Sequence, residues 1–344
     1  GHGGFRDGLA ALEEGASRAQ GALVVQGSAE RPGAPVFVFG GQGAQWPGMG
    51  AELMASSPVF RARIAECEQA LAPHVDYSLS AVLSQLPTAP SFDRVDVVQP
   101  ALWAVMVALA GVWRSAGVEP AAVVGHSQGE VAAACVSGAL SLEDAAAVVA
   151  LRSRAIRELV GGGAMAVLGE SAERAAERAR IRTQSAHIAA VNGPASTVVA
   201  GEAAAVADLV GAAEAEGVRA RMIEVDYASH TPHVESARER IRTDLAGIAP
   251  RSGTVPFFSA VTGAELDGGA LGAEYWYSNL REPVRFQPAV EELVRAGHGL
   301  FVECGPHPVL TAPIEDVLAG GGAAGAALST LRRDDGGPRR LLTS

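Results

Sequence analysis

Two short apolar runs each stop at a glycine-rich turn and pass directly into a helical stretch, and few folds accommodate that pattern twice. The first run, "VFVF" at residues 36–39, is followed by "GGQGAQWPGMG" and then by helical periodicity over residues 51–71. The second, "AAVVGHSQGE" from residue 121, leads into the helical "EVAAACVSGAL". Apolar runs this short, without polar alternation, suit strands buried on both faces, and helices between them suit a parallel sheet covered on each side. A long apolar helix is expected over residues 101–115, and two further strands within "VPFFSAVTG" and "GLFVECGPHPVL". The fold class expected is therefore α/β.

Residues 164–226 follow another rhythm. The order runs strand ("AMAVL"), helix ("SAERAAERARI"), two strands ("HIAAVNG", "STVVAGE") around an "NGPA" turn, helix ("AAVADLVGAAEAEG") and strand ("ARMIEV"). This βαββαβ order predicts a small ferredoxin-like subdomain inserted into the larger one. The larger body is then expected to occupy residues 35–163 and 227–318. Residues 1–34, with a short amphipathic helix, and the Gly- and Arg-rich residues 319–344 are expected to be flanking linkers.

Composition excludes several kinds of chemistry. All 27 basic residues are arginine, which removes Schiff-base lysines, a P-loop lysine and any lysine general base. The formal charge of −11 argues against nucleic-acid binding, which needs a basic face. The three cysteines, Cys67, Cys135 and Cys304, have no metal-ligand spacing and are expected as buried apolar residues. No apolar run is expected to be long enough to span a membrane, and no signal-peptide pattern opens the chain, so the expected location is cytoplasmic.

Catalysis must then come from serine, histidine, cysteine or carboxylates. Gly125-His126-Ser127-Gln128-Gly129 fits G-x-S-x-G, a strand-to-helix turn that lifts a serine hydroxyl above the sheet edge. Free N–H groups at the start of the following helix would face the same point and can hold an oxyanion. The competing reading is a plain βα turn. Of the eight histidines, His230 in "DYASHTPHVE" is best placed as the base, on the loop where the chain returns to the main body. His126, His233 and His307 remain weaker candidates. His230 and His233 also form H-x-x-H, but Pro232 and the lack of a third ligand count against a metal. "FGGQGAQ" lacks the G-x-G-x-x-G register, so phosphate cradling is not expected, and Gly41 and Gly43 can instead expose the Gln42 amide as a second oxyanion donor. Arg152, in "ALRSRA", is either a solvated helix residue or a bidentate carboxylate binder.

Taken together, "GQGAQWPGMG", "VDVVQPALWAV", "GHSQGE", "ALRSRA", "GGGAMAV", "NGPASTVVAGE", "YASH", "YWYSNLREPVRF" and "FVECGPHPVL" resemble the acyltransferase domain of modular polyketide synthases, relatives of malonyl-CoA:acyl-carrier-protein transacylase. The resemblance covers nearly the whole chain and departs at Gly40, where the family often has Pro. It implies an α/β-hydrolase-like large subdomain with the inserted ferredoxin-like one. It implies Ser127 as the acylated nucleophile, His230 as its base without a third Asp member, the amides of Gln42 and Gln128 as oxyanion hole, and Arg152 as clamp for the substrate's free carboxylate. Gln99, Tyr227, Ala228, Ser229 and Asn192 are the further substrate-binding positions it implies. No metal or cofactor is expected; coenzyme A thioester is substrate, an acyl carrier protein bearing phosphopantetheine is partner, and a ketosynthase is neighbour through the flanking linkers. "RVDVVQ", "GHSQGE" and "YASH" resemble methylmalonyl-selective members, where malonyl-selective ones tend to carry "HAFH". A serine hydrolase or thioesterase, which would share the elbow and base, and a non-catalytic carrier-protein docking domain are the alternatives.

Overall fold

The computed structural model describes residues 33–159 and 161–344, together with the antiparallel two-residue strands Arg18–Ala19 and Ala22–Leu23. Contacts separate residues 1–33 from a unit that begins at Ala34 and holds both subdomains. The helix expected near the N-terminus lies outside the described residues.

The main sheet has six strands: β1 (Val36–Phe39), β2 (Ala122–Gly125), β7 (Phe257–Ser259), β8 (Ala264–Leu266), β9 (Leu300–Glu303) and β10 (Ala326–Ser329). They lie in the order β8-β7-β2-β1-β9-β10. All neighbours are parallel except the β7–β8 hairpin. Every residue of β1 and β2 is buried, as unalternating strands between two helical layers must be. The register pairs Phe39 with Gly125, so the two glycine turns leave the sheet side by side at its carboxyl edge.

The inserted sheet, β3 (Ala164–Leu168), β4 (Ala186–Gly193), β5 (Ser196–Gly201) and β6 (Ala220–Ile223), is antiparallel in the order β4-β5-β3-β6. With helices Ala172–Arg182 and Ala203–Ala215 it completes the ferredoxin-like arrangement. One face packs Ala166, Leu168 and Val199 against these helices. The other turns Met165, Val198 and Ala200 towards the main body.

Three local expectations change. The helix expected over residues 101–115 begins earlier, spanning Val95–Ser115 with Pro100 inside it. Pro100 has no N–H for the Asp96 carbonyl, and the Tyr77 hydroxyl donates to that carbonyl instead, at 2.9 Å. This helix is long and apolar enough to cross a bilayer, contrary to the expectation that no run would be, but 89% of its apolar window is buried within the protein. The helical stretch over 51–71 is broken at Ser57, which is extended and caps the second helix at the Phe60 N–H.

The largest correction concerns residues 319–344. They are not a surface linker. Ala326–Ser329 forms the parallel edge strand β10, and the Trp113 indole donates to the Thr330 hydroxyl at 3.0 Å while that hydroxyl donates to the Glu303 carbonyl at 2.7 Å. Thr330 and Leu331 have no solvent exposure. The four-residue run "AALS", preceded by Gly325, has no periodicity to announce it; its partner strand supplies the order.

Candidate active site

Ser127 sits at the turn between β2 and the helix Gly129–Ser137, with φ of 53°. A non-glycine residue in this left-handed region carries strain of order 1–3 kcal/mol. The flanking glycines make the turn possible: a Cβ on Gly125 would lie 2.3 Å from the Glu130 nitrogen, and one on Gly129 would lie 2.2 Å from the Phe39 carbonyl oxygen. The serine hydroxyl is thereby held above the carboxyl edge of the sheet, where α/β folds place their sites.

His230 lies 103 positions away in sequence and meets it directly, with Nε2 2.9 Å from Ser127 Oγ. The opposite ring nitrogen, Nδ1, is 2.9 Å from the Glu282 carbonyl. A carbonyl only accepts, so Nδ1 carries the hydrogen and Nε2 presents its lone pair to the serine. No carboxylate is needed to orient the ring. His230 is itself left-handed, with φ of 62°, and its N–H is tied to the Leu280 carbonyl at 2.8 Å. Burial, reinforced by the Arg152 and His126 charges, pushes its pKa down to about 3. The imidazole is therefore a neutral base at physiological pH.

Arg152, on the helix Leu142–Arg157, is not on a solvated face: it is 1% exposed. Nη1 donates to Gln99 Oε1 at 3.1 Å, Nη2 is 3.5 Å from Ser127 Oγ, and Nε is buried without a hydrogen-bond partner. Burial lowers its pKa to about 10, which leaves it charged near neutrality. Among the described residues no carboxylate forms an ion pair with it. A buried cation lacking a counter-ion is costly, and the deficit is removed when an anion enters. Gln99 continues the network, donating to Gln42 Oε1 at 3.3 Å, and the Tyr227 hydroxyl donates to the same oxygen at 2.8 Å.

These groups share one cavity. Gln42, Gln99, Ser127, Gln128, Arg152, Tyr227 and His230 form its polar side, and Met165, Ala190, Val198, Ile223 and Val225 its apolar side, with Ser229 between. Two expected substrate contacts stand elsewhere. Asn192 is not on the cavity wall: its Oδ1 is 2.7 Å from Nε2 of His126, which does line the cavity, and the contact joins β4 to the elbow. Ala228 is also absent from the wall, packed against Gly163, where a Cβ would come within 2.7 Å of its own. The other candidate bases are engaged or outside the cavity. His126 holds Asn192, His307 Nδ1 accepts the Arg333 N–H at 3.1 Å, and His233 does not line the wall. Sequence reasoning missed Glu130, Tyr275 and Asn279 beneath the elbow; a glutamate at the head of an otherwise apolar helix was the available signal.

The family model for the acyl transferase domain matches residues 36–344. The chain belongs to the acyl transferase domain family. Within that family it is an acyltransferase domain of the modular polyketide synthase type. It is 55% identical over 98% of its length to the spectinabilin polyketide synthase system protein NorA' of Streptomyces orinoci. It is likewise 55% identical over 88% of its length to erythronolide synthase EryA3 of Saccharopolyspora erythraea. The chain spans only 9% and 10% of those two proteins. Among solved structures, the acyltransferase domain from module 8 of the salinomycin polyketide synthase superposes with a TM-score of 0.92 at 54% identity, covering 98% of this chain and 79% of that one. The malonyl CoA-acyl carrier protein transacylase of Coxiella burnetii superposes with a TM-score of 0.80 at 29% identity, covering 92% and 98%. The acyltransferase fold thus pairs the α/β-hydrolase-like body with the small antiparallel subdomain described above.

Proposed function

We propose that this acyltransferase domain transfers an extender unit, methylmalonyl, from coenzyme A to the phosphopantetheine thiol of an acyl carrier protein through an acyl-serine. The observation that carries the reading is the buried Arg152 guanidinium, in the same cavity as the Ser127–His230 pair and ion-paired to no carboxylate among the described residues. A plain ester or thioester hydrolase has no use for a buried cation there; a thioester with a free carboxylate does.

The steps follow from the geometry. His230 Nε2 removes the Ser127 hydroxyl proton as Oγ attacks the thioester carbonyl, the C–S bond breaks, and His230 returns the proton to the departing coenzyme A sulfur. The carrier thiol then loses its proton to His230 as its sulfur attacks the ester, and Ser127 regains a proton on release. The Gln42 and Gln128 amides stabilise the oxyanion in both halves; Gln128 is the N-cap of the helix Gly129–Ser137, whose dipole favours negative charge at that end. The two-step exchange calls for no cofactor.

Methylmalonyl is favoured by the apolar wall from the small subdomain and by Ser229, a small residue where a larger one would crowd an α-methyl. One methyl group in such a pocket is worth about 1–3 kcal/mol, a factor of ~10–200. The cellular setting proposed is cytoplasmic, with a carrier protein and a ketosynthase as neighbours in a larger synthase. Intact-protein mass spectrometry with competing malonyl-, methylmalonyl- and ethylmalonyl-CoA tests the reading. A methylmalonyl adduct that Ser127→Ala lacks and that a carrier protein discharges by transfer is the expected result. A label that persists in Ser127→Ala overturns the nucleophile, and discharge mainly to water in the presence of carrier protein favours a hydrolase.

A further inference from the structure

Ser127 and His230 approach from segments that share no strand or helix, and both hold left-handed backbone angles. Something must keep two strained peptides in mutual register. The helix Ala273–Arg281 and its exit touch both. Asn279, 2% exposed, donates through Nδ2 to the Ser127 carbonyl at 3.0 Å and to Glu130 Oε2 at 2.7 Å. Both partners are acceptors, so the amide can face them only with its nitrogen. One residue further, the Leu280 carbonyl accepts the His230 N–H at 2.8 Å, and the Glu282 carbonyl accepts the His230 ring at 2.9 Å.

The Asn279 side chain is in turn braced. Glu130 is fully buried; its Oε1 accepts the Ala260 N–H at 2.5 Å, and its Oε2 accepts the Tyr275 hydroxyl at 2.8 Å as well as Asn279. Tyr275 stands four residues before Asn279, on the same helical face, and its hydroxyl is 2.7 Å from Ser259 Oγ at the end of β7. The elbow helix, the neighbouring strand and the helix serving the base therefore meet at one carboxyl group.

We propose that Asn279 is a positioning residue for acyl transfer: by fastening the Ser127 carbonyl to the helix whose end carries His230, it sets the separation between Oγ and Nε2. It touches no reacting atom. The inference rests on Ser127 and His230 being the reacting pair, as argued above. A shift of about 1 Å between a nucleophile and its base can cost ~10²-fold in rate, while the carboxylate clamp and the apolar wall lie on other elements. The loss should therefore fall on the chemical step and spare substrate binding.

The test compares Asn279→Ala and Tyr275→Phe with the unmodified domain and with Glu274→Ala, a control at an exposed position of the same helix. Single-turnover acylation is followed by intact-protein mass spectrometry over a range of methylmalonyl-CoA concentrations, well below each variant's melting temperature. Asn279→Ala should lose ~10- to 100-fold in the saturating acylation rate with half-saturation unchanged within ~2-fold. Tyr275→Phe, which removes one brace and keeps the amide, should lose less in the same parameter, and Glu274→Ala should match the unmodified domain. An unaltered rate in both variants, or a defect confined to half-saturation, overturns the proposal. Should Asn279→Ala not fold, Tyr275→Phe decides by the same criterion. Label surviving in Ser127→Ala would refute the underlying dyad reading, a result separable from failure of the Asn279 proposal.

Discussion

The two sides of the cavity are built on opposite principles. The polar side, from the large subdomain, is held by residues at a cost: Ser127 and His230 in left-handed conformations, a buried guanidinium that no carboxylate among the described residues contacts in an ion pair, and glycines with no room for a Cβ. The apolar side, from the small subdomain, is the face of an ordinary antiparallel sheet whose Met165, Val198 and Ile223 lie within regular pairings. On the proposed function, strain and unmet electrostatics mark where bonds change, and relaxed packing marks where a substituent is measured. Reaction and selection can therefore be altered separately, and four measurements bear on that separation.

The largest effect belongs to Ser127→Ala, which should remove acyl-enzyme formation entirely in intact-protein mass spectra. Arg152→Ala should lower transfer of carboxylate-bearing extenders by ~10²-fold or more, since charge-assisted hydrogen bonds of about 1.5–3 kcal/mol each are lost. Propionyl-CoA, which lacks the carboxylate, should suffer no such loss. Removing a desolvated cation that makes no ion pair among the described residues should also leave the melting temperature undiminished. Equal losses on both substrates would mean that Arg152 serves the reaction rather than the carboxylate.

On the apolar side, Ser229→Phe should shift the methylmalonyl-to-malonyl ratio by ~10-fold towards malonyl in competition assays while leaving saturating malonyl turnover within ~3-fold. A fall in turnover with an unchanged ratio would dissolve the division of labour. The smallest effect is a flat profile. Because burial holds His230 neutral, with its pKa near 3, acylation measured between pH 8 and pH 5 should change by less than ~2-fold. A base at the ordinary value of about 6.5 would lose most of its rate by pH 5. Stability should respond in the same range. The unfolded histidine takes up a proton below about pH 6.5 while the folded one does not, so this contribution is full above that pH and declines as the pH falls towards 3. Glu130 and Glu303, raised to about 7 by burial, act oppositely: their contribution is full below about pH 4.5 and is lost as the pH rises through 7.

Local rules made some parts of this molecule legible and left others silent. The elbow could be read because strand, turn and helix are contiguous and the glycines report close approach within the same ten residues. The βαββαβ order was equally visible, being carried by consecutive periodic segments. His230 was separable from seven other histidines only by its place on the returning loop and by resemblance, because no local feature of "YASH" announces a partner 103 residues away. Asn192 and Ala228 sit in motifs that resemble substrate-binding ones, yet neither lines the cavity: Asn192 contacts His126 beside a register shift between Val191 and Gly193 in the β4 ladder, and Ala228 packs against Gly163. The strand β10 was invisible because "AALS" has neither length nor alternation.

From the chain alone came the α/β class, the inserted subdomain, the turn that carries Ser127 and the exclusion of lysine chemistry, all consequences of covalent identity and short-range periodicity. The tertiary structure alone decided that Arg152 is buried rather than solvated, that the His230 imidazole is held neutral, that the last strand completes the sheet and that Asn279 joins the segments bearing Ser127 and His230. Those properties arise from desolvation and from hydrogen bonds between residues far apart in sequence, and neither exists until the chain has folded.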